Sequence, residues 1–516
     1  TIHFGSSMGV FMVPFSLHPL SFILLFVLFY ILLLCEFRLV RNFSGQGHGP
    51  PTYPVIGCLV SFYKNRNRLL DWYTELLAQS PTNTITLHRL GAPTTIVTAN
   101  PENVEYMLKT KFNNFPKGKP FTEILGDFLG QGIFNVDGEL WHAQRKLASH
   151  EFSAKSLKEL VMITLEKEVD NQLLPLLESL SKSNEVVDLQ ELLGRLSFNV
   201  ICKVTLGMNR CCLDPSGPIS PIARAFNLAS EISARRGAAP LFIIWKIKRW
   251  LGIGSERRLK EAVEQVHAQV MEIIHDKKKK MNVRGAESCS EDLLSRLISA
   301  GHKDEVIRDT TISFIMAGRD TTSAAMTWLF WLLSSNPDME QQVVRETVLK
   351  AERSLNYESL KELRLLKACL CESMRLYPPV AWDSKHAVLD DLLPDGTPVK
   401  AGDRVTYFPY GMGRMEALWG KDRFQFKPDR WFTEPDNKRG KLTKTCPYKF
   451  PIFQAGPRMC LGKEMAFVQM KYVVASIIQR FKVRPINSDK PVFVPLLTAH
   501  MAGGLKVFVR KREKVT

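Results

Sequence analysis

Apolar positions recur at helical spacing over 154–182, 222–234, 255–281, 304–334, 338–354, 358–376 and 462–481, and each stretch predicts an amphipathic or buried helix. Short β-rich runs at 84–90, 94–98, around 405–407 and at 505–509 predict strands. Most strands fall towards the two ends, with a long helical middle, no internal repeat and no linker beyond residue 58. The pattern predicts one mainly helical body over 58–516.

The first 35 residues contain no Asp, Glu, Lys or Arg, and Leu20 to Cys35 is apolar apart from Ser21 and the amphipathic Tyr30. At about 1.5 Å per residue these positions span ~24 Å as a helix, short of a ~30 Å hydrocarbon core. Extension to the Glu36–Arg38 flank, with charged ends snorkelling, makes up the difference. A cleaved signal would need its basic residues before the apolar run. Here Arg38 and Arg41 follow it, which keeps the downstream chain cytosolic. Residues 1–37 are therefore expected to be a tail and single membrane-anchor helix. Pro50, Pro51 and Pro54 make 38–57 a stiff, turn-rich hinge.

With 45% hydrophobic residues the chain has ample apolar surface to bury, which excludes intrinsic disorder. The charge of +17 suits nucleic acid, an acidic partner or an anionic membrane equally. Lys277–Lys280 lacks interleaved aromatics and is expected to be a solvated helix end, so no nucleic-acid partner is expected. The ten cysteines show neither a disulfide framework nor zinc-type pairs, in keeping with a reducing compartment.

The segment Phe453-Gln454-Ala455-Gly456-Pro457-Arg458-Met459-Cys460-Leu461-Gly462 carries the strongest chemical signal. Cys460 stands just before a predicted helix, where unpaired backbone N–H groups and the helix dipole favour a thiolate. Gly456 and Gly462 let a tight loop pass close to a flat ligand, and Arg458 can reach an acidic group on it. Residue types alone leave a buried structural cysteine and a thiolate metal ligand both open.

This segment resembles the haem-binding loop of the cytochrome P450 family, F-x-x-G-x-R-x-C-x-G, at every fixed position. Other landmarks follow in the family's order. Trp141 to Arg145 resembles its W-x-x-x-R helix, and Ala317-Gly318-Arg319-Asp320-Thr321-Thr322 its A-G-x-D-T-T. Glu372 to Arg375 resembles E-x-x-R, and Phe426 to Trp431 the later arginine motif. The resemblance covers residues 50–515 and implies a mainly α fold with a small β-rich lobe. It implies haem b with Cys460 as axial iron ligand and with Phe453, Gly456, Arg458, Gly462, Trp141 and Arg145 around it. It further implies electrons from NADPH through a membrane-bound cytochrome P450 reductase, and a catalytic body on the cytosolic face of the endoplasmic reticulum.

A thiolate ligand pushes electron density onto iron and favours O–O cleavage. Glu372 and Arg375, three apart on a helix, can pair, and with Arg430 are expected to form a structural ion network. Asp320 lies in a strongly apolar stretch, costly unless it has a partner or a task. Gly318 and the Thr321 hydroxyl are expected to loosen the helix into a groove for dioxygen, with Thr321 as proton donor and Asp320 as relay. Oxygen-independent haem-thiolate isomerases usually lack that acid–alcohol pair, and a haem carrier has no use for it. Both alternatives therefore rank below a monooxygenase.

For substrate, the cysteine loop and Asp395-Gly396-Thr397 resemble the plant fatty-acid ω-hydroxylase clan. Pro378 to Ala387 and Gly402 to Tyr410 look closest to the subgroup that hydroxylates jasmonoyl-isoleucine at its terminal carbon. Either substrate is a small amphipathic acid. By position in the family, the distal side of the haem is expected to be lined from 115–128, 314–322, 380–385 and 496–501. Lys117 and Lys119 are candidates for a carboxylate clamp, set against the plainer reading of solvated lysines.

Overall fold

The computed structural model describes residues 49–513 and Val27, apart from 154, 209–212, 214–216, 218–219, 240, 285–291, 351–354, 434–439 and 488. The expected anchor and the first part of the hinge lie outside the described residues. Among the described residues no helix is long and apolar enough to cross a membrane. The described part of the hinge is seated on the body. Gly57 bridges to Arg89, and the Cys58 N–H donates to the His88 carbonyl at 2.7 Å.

The axis of the body is the helix Asp304–Ser334, whose limits coincide with the sequence expectation. It contains no proline, and Asp304 and Glu305 in its first turn complement the dipole. It packs on Leu189–Leu206, Arg364–Leu376 and Lys463–Arg480, so that the apolar stretch around Trp328 is buried on all sides. Trp328 stacks on Tyr377, with ring centroids 4.1 Å apart. The Leu189–Leu206 helix has both its ends fixed by sequence: Asp188 accepts from the N–H groups of Gln190 and Glu191, and Gly207 closes it at φ +69°.

Two expected helices are divided. The 154–182 stretch becomes Lys155–Glu168, a π-helical turn over Val169–Leu173, and Leu174–Ser183. The 358–376 stretch breaks at Leu363 into Tyr357–Glu362 and Arg364–Leu376, because the Glu346 carboxylate takes the Leu365 and Leu366 N–H groups at 2.7 and 2.9 Å. The last helix stops at Arg480 because Phe481 opens a strand. The lysine run differs from expectation too: Lys277 pairs with Asp292 at 2.5 Å and Lys278 with Asp304, leaving Lys279 and Lys280 exposed.

The β-rich lobe is built on β1 (Thr84–Leu87) and β2 (Thr95–Thr98). A short β3 (Val186–Asp188) belongs to a separate sheet near the C-terminus. The lobe continues with β4 (Asp383–His386) and, after a small β5–β6 hairpin (Asp391–Leu392, Pro398–Val399), β7 (Arg404–Tyr407). The order is β1-β2-β7-β4, with β2 and β7 parallel and the other pairs antiparallel. The register sets Asp383 opposite Tyr407 and Lys385 opposite Val405. β8 (Phe481–Pro485) and β11 (Lys506–Lys511) complete the sheet with β3, and β9 (Phe493–Pro495) pairs with β10 (Ala499–Met501).

Candidate active site

Cys460 lies three residues before the Lys463–Arg480 helix, and its N–H donates to the Phe453 carbonyl at 2.7 Å, which folds the loop on itself. Phe453 packs on Phe467 of that helix, with centroids 5.2 Å apart. Gly456 has φ +65°, and a Cβ there would come 2.0 Å from the Leu108 carbonyl oxygen, so only glycine fits. At Gly462 the nearest atoms to an added Cβ are 3.9 Å away, which leaves that side open. Gln454 adopts φ +61° and ψ −179°, a region kept almost wholly by glycine and costing about 1–3 kcal/mol. Its side chain is held there by a 2.7 Å bond to Asp383.

Cys460 keeps exposed surface as a residue, while burial is the leading influence on its thiol and pushes its pKa up. The Gly462 N–H, Arg145 and Lys463 work in the opposite direction and do not outweigh burial. The Gly462 N–H thus favours a thiolate as expected, and a bound metal cation's own charge would displace the proton. On the Asp304–Ser334 helix, Met316, Ala317, Gly318 and Thr321 keep partial exposure between buried neighbours. Phe152 bridges the helix and the cysteine loop, its ring 5.4 Å from Phe314 and 3.9 Å from the position of a Cβ on Gly462.

The central helix is not broken at the acid–alcohol pair. The Thr321 hydroxyl donates to the Ala317 carbonyl at 2.6 Å, while the helix runs unbroken through it. Gly318 serves close packing: a Cβ would lie 2.5 Å from Cδ1 of Ile201. Asp320 pairs with Arg319, Nε to Oδ1 at 2.5 Å.

Trp141 is buried under the Arg458 guanidinium, 4.4 Å from its ring centroid. Arg145 donates to the Met459 carbonyl, gripping the cysteine loop, and burial lowers its pKa. Arg458 donates to Asp137 at 2.6 Å and to the Val136 carbonyl at 2.9 Å.

Beside Arg458 sits a group that sequence reasoning did not assemble. Asp383 accepts from Lys117 at 2.6 Å, Gln454 at 2.7 Å, Lys385 at 3.0 Å and Tyr407 at 3.0 Å. Burial works to raise the Asp383 pKa, but the two lysines outweigh it and hold it well below the usual carboxylate range. Lys385 is pushed down to about 7 by burial, which Asp383 opposes and Lys117 and Arg458 reinforce. Lys117 is thus neither a solvated lysine nor free to clamp a substrate, whereas Lys119 is exposed. The alternation Asp383-Ser384-Lys385 on one strand was the available signal.

Glu372 and Arg375 are fully buried and meet as expected, Nε and Nη2 of the guanidinium each donating to the carboxylate at 2.8 Å. Arg430 and the Trp431 indole add bonds to the same carboxylate at 2.9 and 3.0 Å. Arg375 in turn donates to the carbonyls of Gly413, Arg423 and Gln425, which fasten the chain preceding the cysteine loop.

A cysteine loop joined through Phe152 to an acid–alcohol helix, with a buried Glu–Arg lock, is the arrangement of a haem-thiolate protein. The chain belongs to the cytochrome P450 family, whose model matches residues 48–502. It is 59% identical over 467 residues to cytochrome P450 94B1 of Arabidopsis thaliana, covering 90% of this chain and 92% of that one. It is 56% identical over 498 residues to cytochrome P450 94B3 of the same plant, covering 96% and 98%. With cytochrome P450 94A1 of Vicia sativa it shares 46% over 469 residues, 90% and 91% of the two chains. The cytochrome P450DA haem domain superposes with a TM-score of 0.75 at 20% identity, over 90% of this chain and 97% of that one, a likeness of fold.

Family membership makes the protein a monooxygenase with a thiolate-ligated haem, a reductase partner and a small organic substrate. The residues present fit that cofactor. Phe152, Phe314 and Leu461 belong to one apolar cluster beside the cysteine loop. Beside the loop Lys117 and Lys385 pair with Asp383, and Arg458 pairs with Asp137, a basic cluster suited to an acidic group on the cofactor.

Proposed function

We propose that the protein hydroxylates the terminal carbon of an amphipathic acid, jasmonoyl-isoleucine or a related jasmonoyl-amino acid. The observation carrying this reading is the pair of stretches Pro378–Ala387 and Gly402–Tyr410, which look closest to that subgroup. They form β4 and β7 and lie side by side in register, so the resemblance falls on one structural unit next to the cysteine loop. Hydroxylation of medium- or long-chain fatty acids is the second reading, because the loop motifs are shared across the wider clan.

In this reading Cys460 would ligate the haem iron, and Phe453, Gly456 and Gly462 would shape the loop that carries it. The haem supplies the binding and reductive activation of dioxygen. Arg458, Trp141 and Arg145 would hold the cofactor's edge, the last through its grip on the loop backbone. Thr321 holds the proton to be delivered, on the face of the central helix that keeps exposure, and Asp320 replaces it. The lock of Glu372, Arg375 and Arg430 is structural. The segment 1–37 anchors the body at the cytosolic face of the endoplasmic reticulum, where the reductase also resides.

Product identification decides the substrate. Microsomes containing the protein, given NADPH and both substrate classes in separate reactions, should convert the jasmonoyl conjugate to its terminal alcohol with the higher kcat/KM. A higher value for a fatty acid would replace the first reading by the second.

A further inference from the structure

Two arginines of the β-rich lobe form no ion pair among the described residues. Arg89 follows β1, and its buried Nε–H has no hydrogen-bond partner among the described residues. Its guanidinium lies 4.7 Å over the Phe62 ring and 5.9 Å from that of Phe242. Arg404 opens β7 and makes one hydrogen bond among the described residues, from Nε to the Ser384 hydroxyl at 2.9 Å.

The strand register brings the two together. Leu87 pairs with Thr95 and Thr95 with Arg404, so these side chains share one face of the sheet, and Arg89 stands two residues past Leu87. Asp383 pairs with Tyr407, three residues after Arg404, and so belongs to the other face, where Lys117 and Lys385 engage it. Tyr73, buried on the helix Leu69–Gln79, feels both arginines, and its hydroxyl makes no hydrogen bond among the described residues. Burial pushes Tyr73 up to about 12, against Arg89, and Arg404 down to about 10, with Arg89 repelling it further. Guanidinium groups taken out of water without a counter-charge are costly. A carboxylate between them removes that cost, because each planar fork can serve its oxygens and the phenol adds a donor.

The surroundings connect this pair to the substrate. Phe242 opens the helix Phe242–Leu251, whose Lys246 and Arg249 pair with Glu123 and Asp127 of Lys119–Leu129 at 2.9 and 2.7 Å. Ser384 lies on β4. Both Lys119–Leu129 and β4 overlap stretches expected to line the distal side of the haem. Oxidation of a terminal carbon requires the opposite end of the substrate to be held away from iron. The arginines occupy the sheet face turned from Asp383, which bonds the cysteine loop through Gln454.

We propose that Arg89 and Arg404, with the Tyr73 hydroxyl, bind the carboxylate of the amphipathic acid substrate. The inference rests on the substrate reading given above, and it supplies the clamp that Lys117, held by Asp383, does not.

The test uses the full, haem-loaded chain and the substrate-induced Soret shift at neutral pH. Jasmonoyl-isoleucine is titrated against its methyl ester, which keeps the shape and loses the charge. The parent should bind the acid more tightly than the ester. Arg89→Gln should weaken the acid about tenfold, the lower end of what a charged hydrogen bond is worth, and leave the ester unchanged. Tyr73→Phe, which removes only a hydroxyl, should weaken the acid about threefold. The reduced carbon-monoxide band should keep the parent position in both. Equal weakening of acid and ester, an unchanged acid affinity in Arg89→Gln, or a parent that binds acid and ester alike would overturn the site. Arg404→Lys, which keeps the charge and loses the fork, decides the matter if Arg89→Gln does not load haem: the acid should weaken relative to the ester, and an unchanged ratio overturns the proposal. Dodecanoic acid and its methyl ester are titrated in parallel. A product assay that favours fatty acids then replaces the substrate reading, while the site stands or falls on the acid–ester difference.

Discussion

Removing the Glu372 carboxylate should unfold the protein before it alters the chemistry. The carboxylate accepts from Arg375, Arg430, the Trp431 indole and the Lys427 N–H, and it has no exposed surface. Glu372→Ala leaves the fully buried Arg375 charge uncompensated, which costs about 3–5 kcal/mol. It also strands the Trp431 and Lys427 N–H groups, at roughly 1–3 kcal/mol each. The total of about 5–11 kcal/mol compares with about 5–15 kcal/mol for the stability of a whole domain. Little folded, haem-loaded protein should accumulate. Glu372→Gln keeps the shape and one acceptor oxygen and should lose less. Glu372→Ala combined with Arg375→Leu should cost less than the sum of the two, since no charge is left behind. The assays are haem content per polypeptide and the thermal midpoint of the loaded fraction. A Glu372→Ala variant with full haem, the parent Tm and lost turnover would refute the structural reading.

Two further predictions concern proton delivery and cofactor retention. Thr321→Ala should bind haem and substrate and still consume NADPH, but with electrons lost to peroxide; product formed per NADPH consumed, equal to the parent's, would remove Thr321 from the reaction. Lys385 is held at about 7 without the cofactor, and a haem carboxylate beside it raises that value. Its contribution to haem affinity is then fully present below neutral pH and lost as pH rises through the loaded value. Haem transfer to a scavenging apoprotein should accelerate as the pH is raised from neutrality, and Lys385→Met should flatten the profile; a flat profile in the parent would refute the placement.

The helical middle was legible because long apolar periodicity survives local detail: 304–334 matched to the residue. What the periodicity could not show were breaks imposed from elsewhere, such as the Glu346 carboxylate capping a new helix at Leu365 and Leu366. The cysteine loop and the Glu372–Arg375–Arg430 lock were legible because their spacing is local or carried by a resemblance. The Asp383 cluster was not, since Lys117 and Gln454 meet Asp383 across 266 and 71 residues of chain. The reason for Gly318 was also hidden: it is set by Ile201 on another helix.

The central claim is that Cys460 delivers a thiolate to haem iron, and the reduced carbon-monoxide spectrum tests it most directly. The parent protein should show the red-shifted Soret band of a thiolate-ligated haem, and Cys460→Ser should lose it. If the red-shifted band persists in Cys460→Ser, the ligand lies elsewhere and the site is wrongly assigned.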